Sequence, residues 1–528
     1  MLDVNTFLKL NFNNDINYIN SNGETPLILA IRMSCFNRVF KNIVKELILR
    51  KVNINYPDTN KKTPLMYASQ GGLTDIVLDL INNGANINDV DNNGNTALIF
   101  PIREVIFNIM YGGNEKLVAT AMLLIEKGIN LNSANNNGKT ALMYACERGY
   151  LEIVEKLLEK NVNINSFDIY RNSPLSYACL SSREIAFMLI EKGAAINIEN
   201  TYGNTPLMHA SRRGFEEIVE KLIEKGANVN ATNTLGETPL LLSVRNNFSN
   251  LIIMLIKKGA NVNAVSFQKE TPIWLAIRNR RTDIAIFLLE NGANVNTTDY
   301  SGCPIIMYTC STNNIPVTKK LIEKGANINV TDRYDRTPLM YACRYNSDLA
   351  NILIENGANI NTVDKFGNTP LFHCLFNGFP HIAIKLILKG ADIKSLLSGN
   401  NEFVKNNFIN LIKIYLPSNF NSLVSHVVAA KNSEFETYMS LIKFYKLYKF
   451  INTVSNDIIS YQSISKELLH LLNSYRDLIN NQLAHLINTS LLPRHKNNLP
   501  KDKKIPLERI NLDKNLSTHN QYLHFDLL

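Results

Sequence analysis

Thr205-Pro206-Leu207-Met208-His209-Ala210 opens a 33-residue segment that closes at Glu237, where Thr238-Pro239-Leu240 begins the next. Threonine followed by proline is a helix start. The hydroxyl can cap free amides, and proline tolerates a first helical position whose N–H has no partner. Gly226, with Ala227, Asn228, Val229 and Asn230 behind it, suits the left-handed residue that ends a second helix. Gly236 stands two residues before the next threonine and signals a turn. The segment therefore predicts a helix, a turn, a second helix and an extended connection.

The same punctuation recurs along most of the chain. Thr-Pro-Leu stands at Thr25, Thr63, Thr205, Thr238, Thr337 and Thr369, with variants at Thr96, Thr140, Ser173 and Thr271 and a degenerate copy at Pro304. We number these starts as repeats 1 to 11 in chain order. From Thr205 the next four steps are 33 residues each. Apolar periods inside the units, such as Ile153, Val154, Leu157 and Leu158, are too short for one long helix. A fixed period of this size signals stacked modules, none of which can bury its apolar face alone.

The pattern resembles the ankyrin repeat, with its 33-residue period and Thr-Pro-Leu-His-x-Ala core. The resemblance spans roughly residues 15–394. It implies an all-α-dominated repeat solenoid of about eleven helix-turn-helix units with β-hairpin fingers, followed by a helical C-terminal region. The histidine of that core is replaced here by Met66, Met143, Met208, Met307, Met340, Trp274 or Phe372, which is expected to turn a hydrogen-bonding column into plain packing. Lys61, Arg171, Lys269 and Asp335 replace the hairpin glycine, so those turns are expected to be distorted. Richness in Asn, Ile and Lys resembles ankyrin proteins of large DNA viruses, by analogy only.

Four segments are expected. Residues 1–24 form an N-terminal capping half-repeat. Residues 25–394 form the array, with about five extra residues looped out of repeat 1. An insertion of 11 near 100–116 amounts to about three helical turns, which would keep a lengthened helix in register. Residues 395–492 carry helical apolar periods and read as a cap or a small helical domain. Residues 493–528, with Pro493, Pro500, Pro506 and scattered Lys and Arg, read as a basic, disordered tail.

Composition narrows the function. The 528 residues are 45% hydrophobic and 19% charged, which fits a folded chain. No run approaches the roughly 20 apolar residues that cross a bilayer, and no signal peptide is read, so no membrane partner is expected and the location is expected to be intracellular, in a host cell if viral. Seven cysteines then fit free thiols better than disulfides. Phosphate-loop, HExxH and GxSxG motifs are absent from the sequence. The cluster His373, Cys374, His381 has no zinc spacing. Cys146, Cys179, Cys310 and Cys343 share one repeat position and read as a packed column of small residues. No enzyme activity, cofactor, metal or small-molecule substrate is expected. The 15 basic and 10 acidic residues of 395–528 are too balanced to suggest nucleic acid.

Such an array offers surface, with a concave face lined by its fingers. Three or four residues before each start, repeats 1 to 4 carry Asn22, Asn60, Asn93 and Asn137. Later fingers carry Tyr170, Tyr202, Leu235, Phe267, Tyr300, Tyr334 and Phe366. These are candidate interface anchors; the alternative is that they brace neighbouring fingers. Seven or eight residues after the starts come Arg32, Arg148, Arg212, Arg213, Arg245, Arg278 and Arg344, a basic row that would favour an acidic partner or serve as a solvated face. The expected function is a non-enzymatic scaffold that binds a protein partner. The alternative is a ubiquitin-ligase substrate adaptor through an F-box-like segment at Leu499-Pro500 to Leu512, although Lys501–Lys504 and Pro506 interrupt the amphipathic helix it needs.

Overall fold

The computed structural model describes residues 4–12, 15–21, 23–103, 114–393, 396, 401–429, 451, 454 and 466–486. Residues 104–113 of the insertion expected near 100–116, the fingertip Asn22 and the segment 493–528 lie outside them. Two compact units are present, Met1–Ala293 and Asn294–Leu528.

In Met1–Ala293, repeat 6 shows how local chemistry builds the module. The Thr205 hydroxyl accepts from the Met208 amide at 3.3 Å, Pro206 takes the first position, and the first helix runs Pro206–Arg213. Such a cap is worth about 1 kcal/mol. Gly214 ends it at φ 72° and the second helix runs Glu216–Glu224. Gly226, at φ 94°, lets the amide of Ala227 reach back to the Leu222 carbonyl at 2.9 Å. Open space surrounds Gly226, so its backbone angle alone demands glycine. Leu207, Met208, Ala210, Ile218, Val219 and Leu222 are buried and form the repeat's share of the core.

The N-terminal helix Val4–Phe12 sets Phe7 edge-on against Phe40, with ring centroids 6.0 Å apart. Repeat 1 does not loop out all five of its extra residues. Its helices run Pro26–Ser34 and Val39–Leu49, so compared with repeat 6 one residue goes to the first helix, two to the turn and two to the second helix. Lengthening a helix satisfies the added backbone groups internally, whereas a loop leaves them to solvent.

The fingers are tight loops with little strand character. Single antiparallel bridges join Val90 to Thr96 and Ala134 to Thr140 in this unit, and Thr298 to Pro304 in the other. A polar side chain five residues before the start closes these loops, an Asp or Asn everywhere except Ser266 of repeat 8. Asn233 Oδ1, for example, accepts from the amides of Leu235 and Glu237, both at 2.9 Å. The turns lacking glycine are undistorted: Lys61, Arg171, Lys269 and Asp335 sit at φ 58–60°, close to the 70–71° of Gly203 and Gly236. Each tolerates the left-handed region at a cost of about 1 kcal/mol. At Gly138 no side chain fits, because a Cβ would stand 2.9 Å from the Asp168 Cα.

In Asn294–Leu528 one apolar core runs from Cys310 through repeats 10 and 11 into the C-terminal helices, burying Val404, Phe408, Ile412, Ile451, Val454, Leu472 and Ile479. The helix Glu402–Ala429 packs on the first helix of repeat 11, Pro370–Phe376, and Asn407 Nδ2 donates to the Leu375 carbonyl at 3.0 Å. Lys466–Leu486 packs on Glu402–Ala429 in turn. No described helix is long and apolar enough to cross a membrane.

Candidate partner-binding surface

Three columns of side chains meet along the finger side of each unit. The first is the fingertip column. Backbone bonds brace it: the carbonyls of Asn137, Tyr170, Tyr202 and Leu235 accept from the amides of Ile169, Thr201, Thr234 and Phe267 on the following fingers, at 2.9–3.0 Å. The side chains are thereby left outward. Tyr170, Tyr202 and Leu235 are half-exposed and Phe267 is 78% exposed. In the other unit Tyr300 is 78% and Phe366 70% exposed. Tyr334 differs: Arg333 and Arg336 each lie 4.8 Å from its ring centre and Phe366 lies 6.2 Å away, so it braces its finger.

The second column sits four residues past each start, on the first helix. Tyr67 and Tyr177 donate their hydroxyls to Asp58 Oδ2 and Asp168 Oδ2 at 2.7 and 2.6 Å, and Tyr341 donates to Asp332 Oδ2 at 3.0 Å. Burial and the adjacent carboxylate raise all three phenols above their ordinary range. In repeat 11 the same place holds His373, with Nε2 3.2 Å from Asp364 Oδ2. Repeat 6 holds His209, whose Nε2 is buried without a protein partner; burial, helped by nearby Arg212, pushes it down to about 4.

The third column, in repeats 1, 4, 7 and 8, joins the residue before the start to the one seven beyond it. Glu24 pairs with Arg32, Lys139 with Glu147 at 2.8 Å, and Glu270 with Arg278 at 2.7 Å. Arg245 reaches Glu237 at 2.9 Å and also Glu270 of the next finger at 2.7 Å, while Arg212 stands 3.9 Å from Glu237. Three of the expected basic-row residues are thus engaged by two buried glutamates. Arg213 lies 5.9 Å from the Phe215 ring, and Arg344 lies 5.4 Å from that of Tyr345 without a carboxylate partner among the described residues. This pairing escaped the sequence reading, although charges eight residues apart in successive repeats were its visible signal.

Modules that recur with a capped first helix in most copies, a left-handed end to the second helix and a side-chain-closed finger leave a single architecture. The model for "Ankyrin repeats (3 copies)" matches residues 33–111, 104–168, 167–233, 229–299 and 302–396. The chain belongs to the ankyrin-repeat family. No curated protein matches it. Ankyrin arrays serve protein–protein interaction, and the family is typically non-enzymatic.

Within this ankyrin chain Met66, Met143, Met208, Met307 and Met340, in the replaced histidine's place, are buried in the core. A separate hydrogen-bonding column lies one residue further on, in Tyr67, Tyr177, Tyr341 and His373. The methionines keep a weaker contact, since Met66 and Met340 sulfurs accept from the capping threonines' amides at 3.4 Å. A further ladder accounts for much of the asparagine. Asn230 Oδ1 accepts from the Asn261 amide at 2.7 Å while its Nδ2 donates to the Gly259 carbonyl at 3.0 Å, tying each helix end to the next repeat. Asn361 does the same to Asp392 and Gly390.

All seven cysteines are free, and Cys146, Cys179, Cys310, Cys343 and Cys374 are buried. Burial raises the Cys310 thiol to about 12, which makes it a poor nucleophile. Among the described residues no group of three His, Cys, Asp or Glu side chains is placed to hold a metal. A shallow groove of about 810 Å³ lies between the second helices of repeats 5 and 6, lined by Arg183, Phe187, Met188, Glu191 and Glu217.

Proposed function

We propose that the chain is a non-catalytic scaffold that binds a protein partner through the fingers and first helices, with Tyr170, Tyr202, Leu235, Phe267, Tyr300 and Phe366 as the anchors. The observation that carries this is the outward fingertip column. Backbone bonds already join the fingers of Tyr170, Tyr202, Leu235 and Phe267 in succession, and that of Phe366 to that of Tyr334, so side chains 50–78% exposed are not needed to brace them; Tyr300 is as exposed as Phe267. Buried against a partner, each offers about 1.5–3 kcal/mol. Tyr334 contributes through the finger it stiffens. Arg212, Arg245 and Arg278 shape the first-helix surface and bring little free charge, while Arg213 and Arg344 remain available for contact.

The test is affinity capture from the native cell with the full chain and with a Tyr202→Ala, Phe267→Ala, Tyr300→Ala, Phe366→Ala variant. The expected result is loss of the captured proteins with far-UV circular dichroism unchanged. Identical captured sets from both would reject the reading.

A further inference from the structure

We infer that in the unit Asn294–Leu528 the fingers and first helices of repeats 9 to 11 take an acidic peptide segment that carries aromatic or aliphatic side chains. This deepens the reading above and rests on it. Two observations converge.

The first is aromatic. Tyr341 stacks on Tyr345 at 6.5 Å and Phe372 on Phe376 at 6.0 Å, and Phe403 meets Phe376 edge-on at 5.8 Å. Tyr345, Phe376 and Phe403 are each about half-exposed, and Phe366 more so. These rings form clusters with open faces, the kind of surface that apolar side chains of a partner fill.

The second is charge. Of the finger carboxylates, Asp332 is paired with a cation, while Asp299 and Asp364 are bound by their own finger amides and keep their charge. Asp332 accepts from the amides of Tyr334 and Arg336 and from the Arg336 guanidinium at 2.7 and 2.9 Å. Asp364 accepts from the Phe366 and Asn368 amides and faces His373, and Asp299 accepts from the Ser301 and Cys303 amides. Arg333 and Arg344 rest on the Tyr334 and Tyr345 rings with no carboxylate partner among the described residues. The Lys365 ammonium donates to the Arg333 carbonyl at 2.7 Å and has no carboxylate partner among the described residues. Arg333, Arg344 and Lys365 therefore lack an ion-pair partner among the described residues, while Asp335 and Glu402, the latter 3.8 Å from Lys405, are exposed carboxylates of the same unit. A guanidinium that meets a ring and no carboxylate keeps donors to offer, and carboxylates are the groups that fit them. Three cations are few for a nucleic acid, whose affinity grows with each phosphate neutralised.

Random peptides of roughly twelve residues displayed on phage, panned on the full chain, test this. Enriched peptides are then synthesised with a fluorophore and titrated. The expected peptides carry a net charge of about −3 with two or more Phe, Tyr, Leu or Ile. Their affinity should fall about tenfold in an Arg333→Ala, Arg344→Ala, Lys365→Ala variant and weaken as salt rises from about 50 to 300 mM. Neutral or basic winners, or acidic ones that bind this variant undiminished, overturn the inference. Peptides that ignore the three cations but are lost with Tyr300→Ala, Phe366→Ala leave the scaffold reading standing. Peptides indifferent to both variants, or no enrichment at all, count against both. Tighter binding of a labelled single-stranded oligothymidylate than of any peptide overturns the inference in favour of nucleic acid.

Discussion

Arg245 and Arg344 stand at the same place in their repeats, seven residues past the capping threonine, yet one is held and the other is free. In Met1–Ala293, Arg245 joins two buried glutamates, Glu237 and Glu270. In Asn294–Leu528 the residue before the start of repeat 10 is Arg336, already committed to Asp332, and Arg344 turns to the Tyr345 ring. Burial opposes ionisation of Asp332, but its bonds to Arg336 and to the finger amides outweigh that and hold the carboxyl below its usual range. The residues before a repeat's own start and before the next one thus decide whether an arginine is paired within the array: Arg212 has Asn204 and Glu237 there, Arg344 has Arg336 and Asn368. The two histidines divide the same way. His373 faces Asp364, whereas His209 faces no partner.

The largest expected effect breaks or sharpens that second contrast. His209 is held near 4 when folded, against about 6.5 in an unfolded chain. Above pH 6.5 neither state binds the proton. Below it the unfolded state does and the folded state does not, so stability falls until the pH passes about 4, by about 3 kcal/mol in all. His209→Leu should remove that acid loss, read as urea midpoints by circular dichroism at pH 7 and pH 4. His373→Leu should remove less: burial depresses His373 too, but Asp364 works against the shift. Equal changes in the two variants would erase the distinction.

Next in size is the arginine pair itself. Arg245→Ala leaves Glu237 and Glu270, 5% and 6% exposed, short of a shared cation. Breaking a buried pair costs 3–5 kcal/mol, and the partial exposure of Arg245 lowers the expectation to about 2 kcal/mol. Arg344→Ala should cost under about 0.5 kcal/mol, as an exposed side chain outside any network. Repeat arrays can unfold in steps, so the comparison is of midpoints under one condition. Similar losses would show that the pairing with residue −1 carries no weight.

The helices were legible in the sequence because their signals are local and chemical. A capping threonine, a proline that lacks an N–H and a glycine at positive φ each act within a few residues. The contacts between repeats were not. Nothing in Asn230 alone shows that its side chain closes a bond to Asn261, 31 residues on. Lys61 and Arg171 looked like broken turns because only the glycine preference was weighed, while the Asp58 and Asp168 side chains, each gripping two amides, hold those loops in the left-handed form regardless. The fingertip residues were found by register, but register could not separate the open Tyr300 from Tyr334, whose ring lies beneath two arginines.

The smallest test contrasts the starts of repeats. Repeats 4 to 8, in Met1–Ala293, all have a side-chain cap. Repeat 9 in the other unit begins at Pro304, which offers no side-chain bond, and the Met307 amide turns to its carbonyl at 3.0 Å instead. A hydroxyl there should accept from the Met307 amide as Thr337 does from Met340 at 3.3 Å. The gain of a cap is about 1 kcal/mol, and losing proline's restriction of the unfolded chain returns part of it, so Pro304→Thr should stabilise by about 0.5 kcal/mol. Thr337→Ala, one repeat on, should cost about 1 kcal/mol by the same bond. If Pro304→Thr instead destabilises, the fixed φ of proline matters more to that finger than the missing cap, and repeat 9 is a start of a different kind.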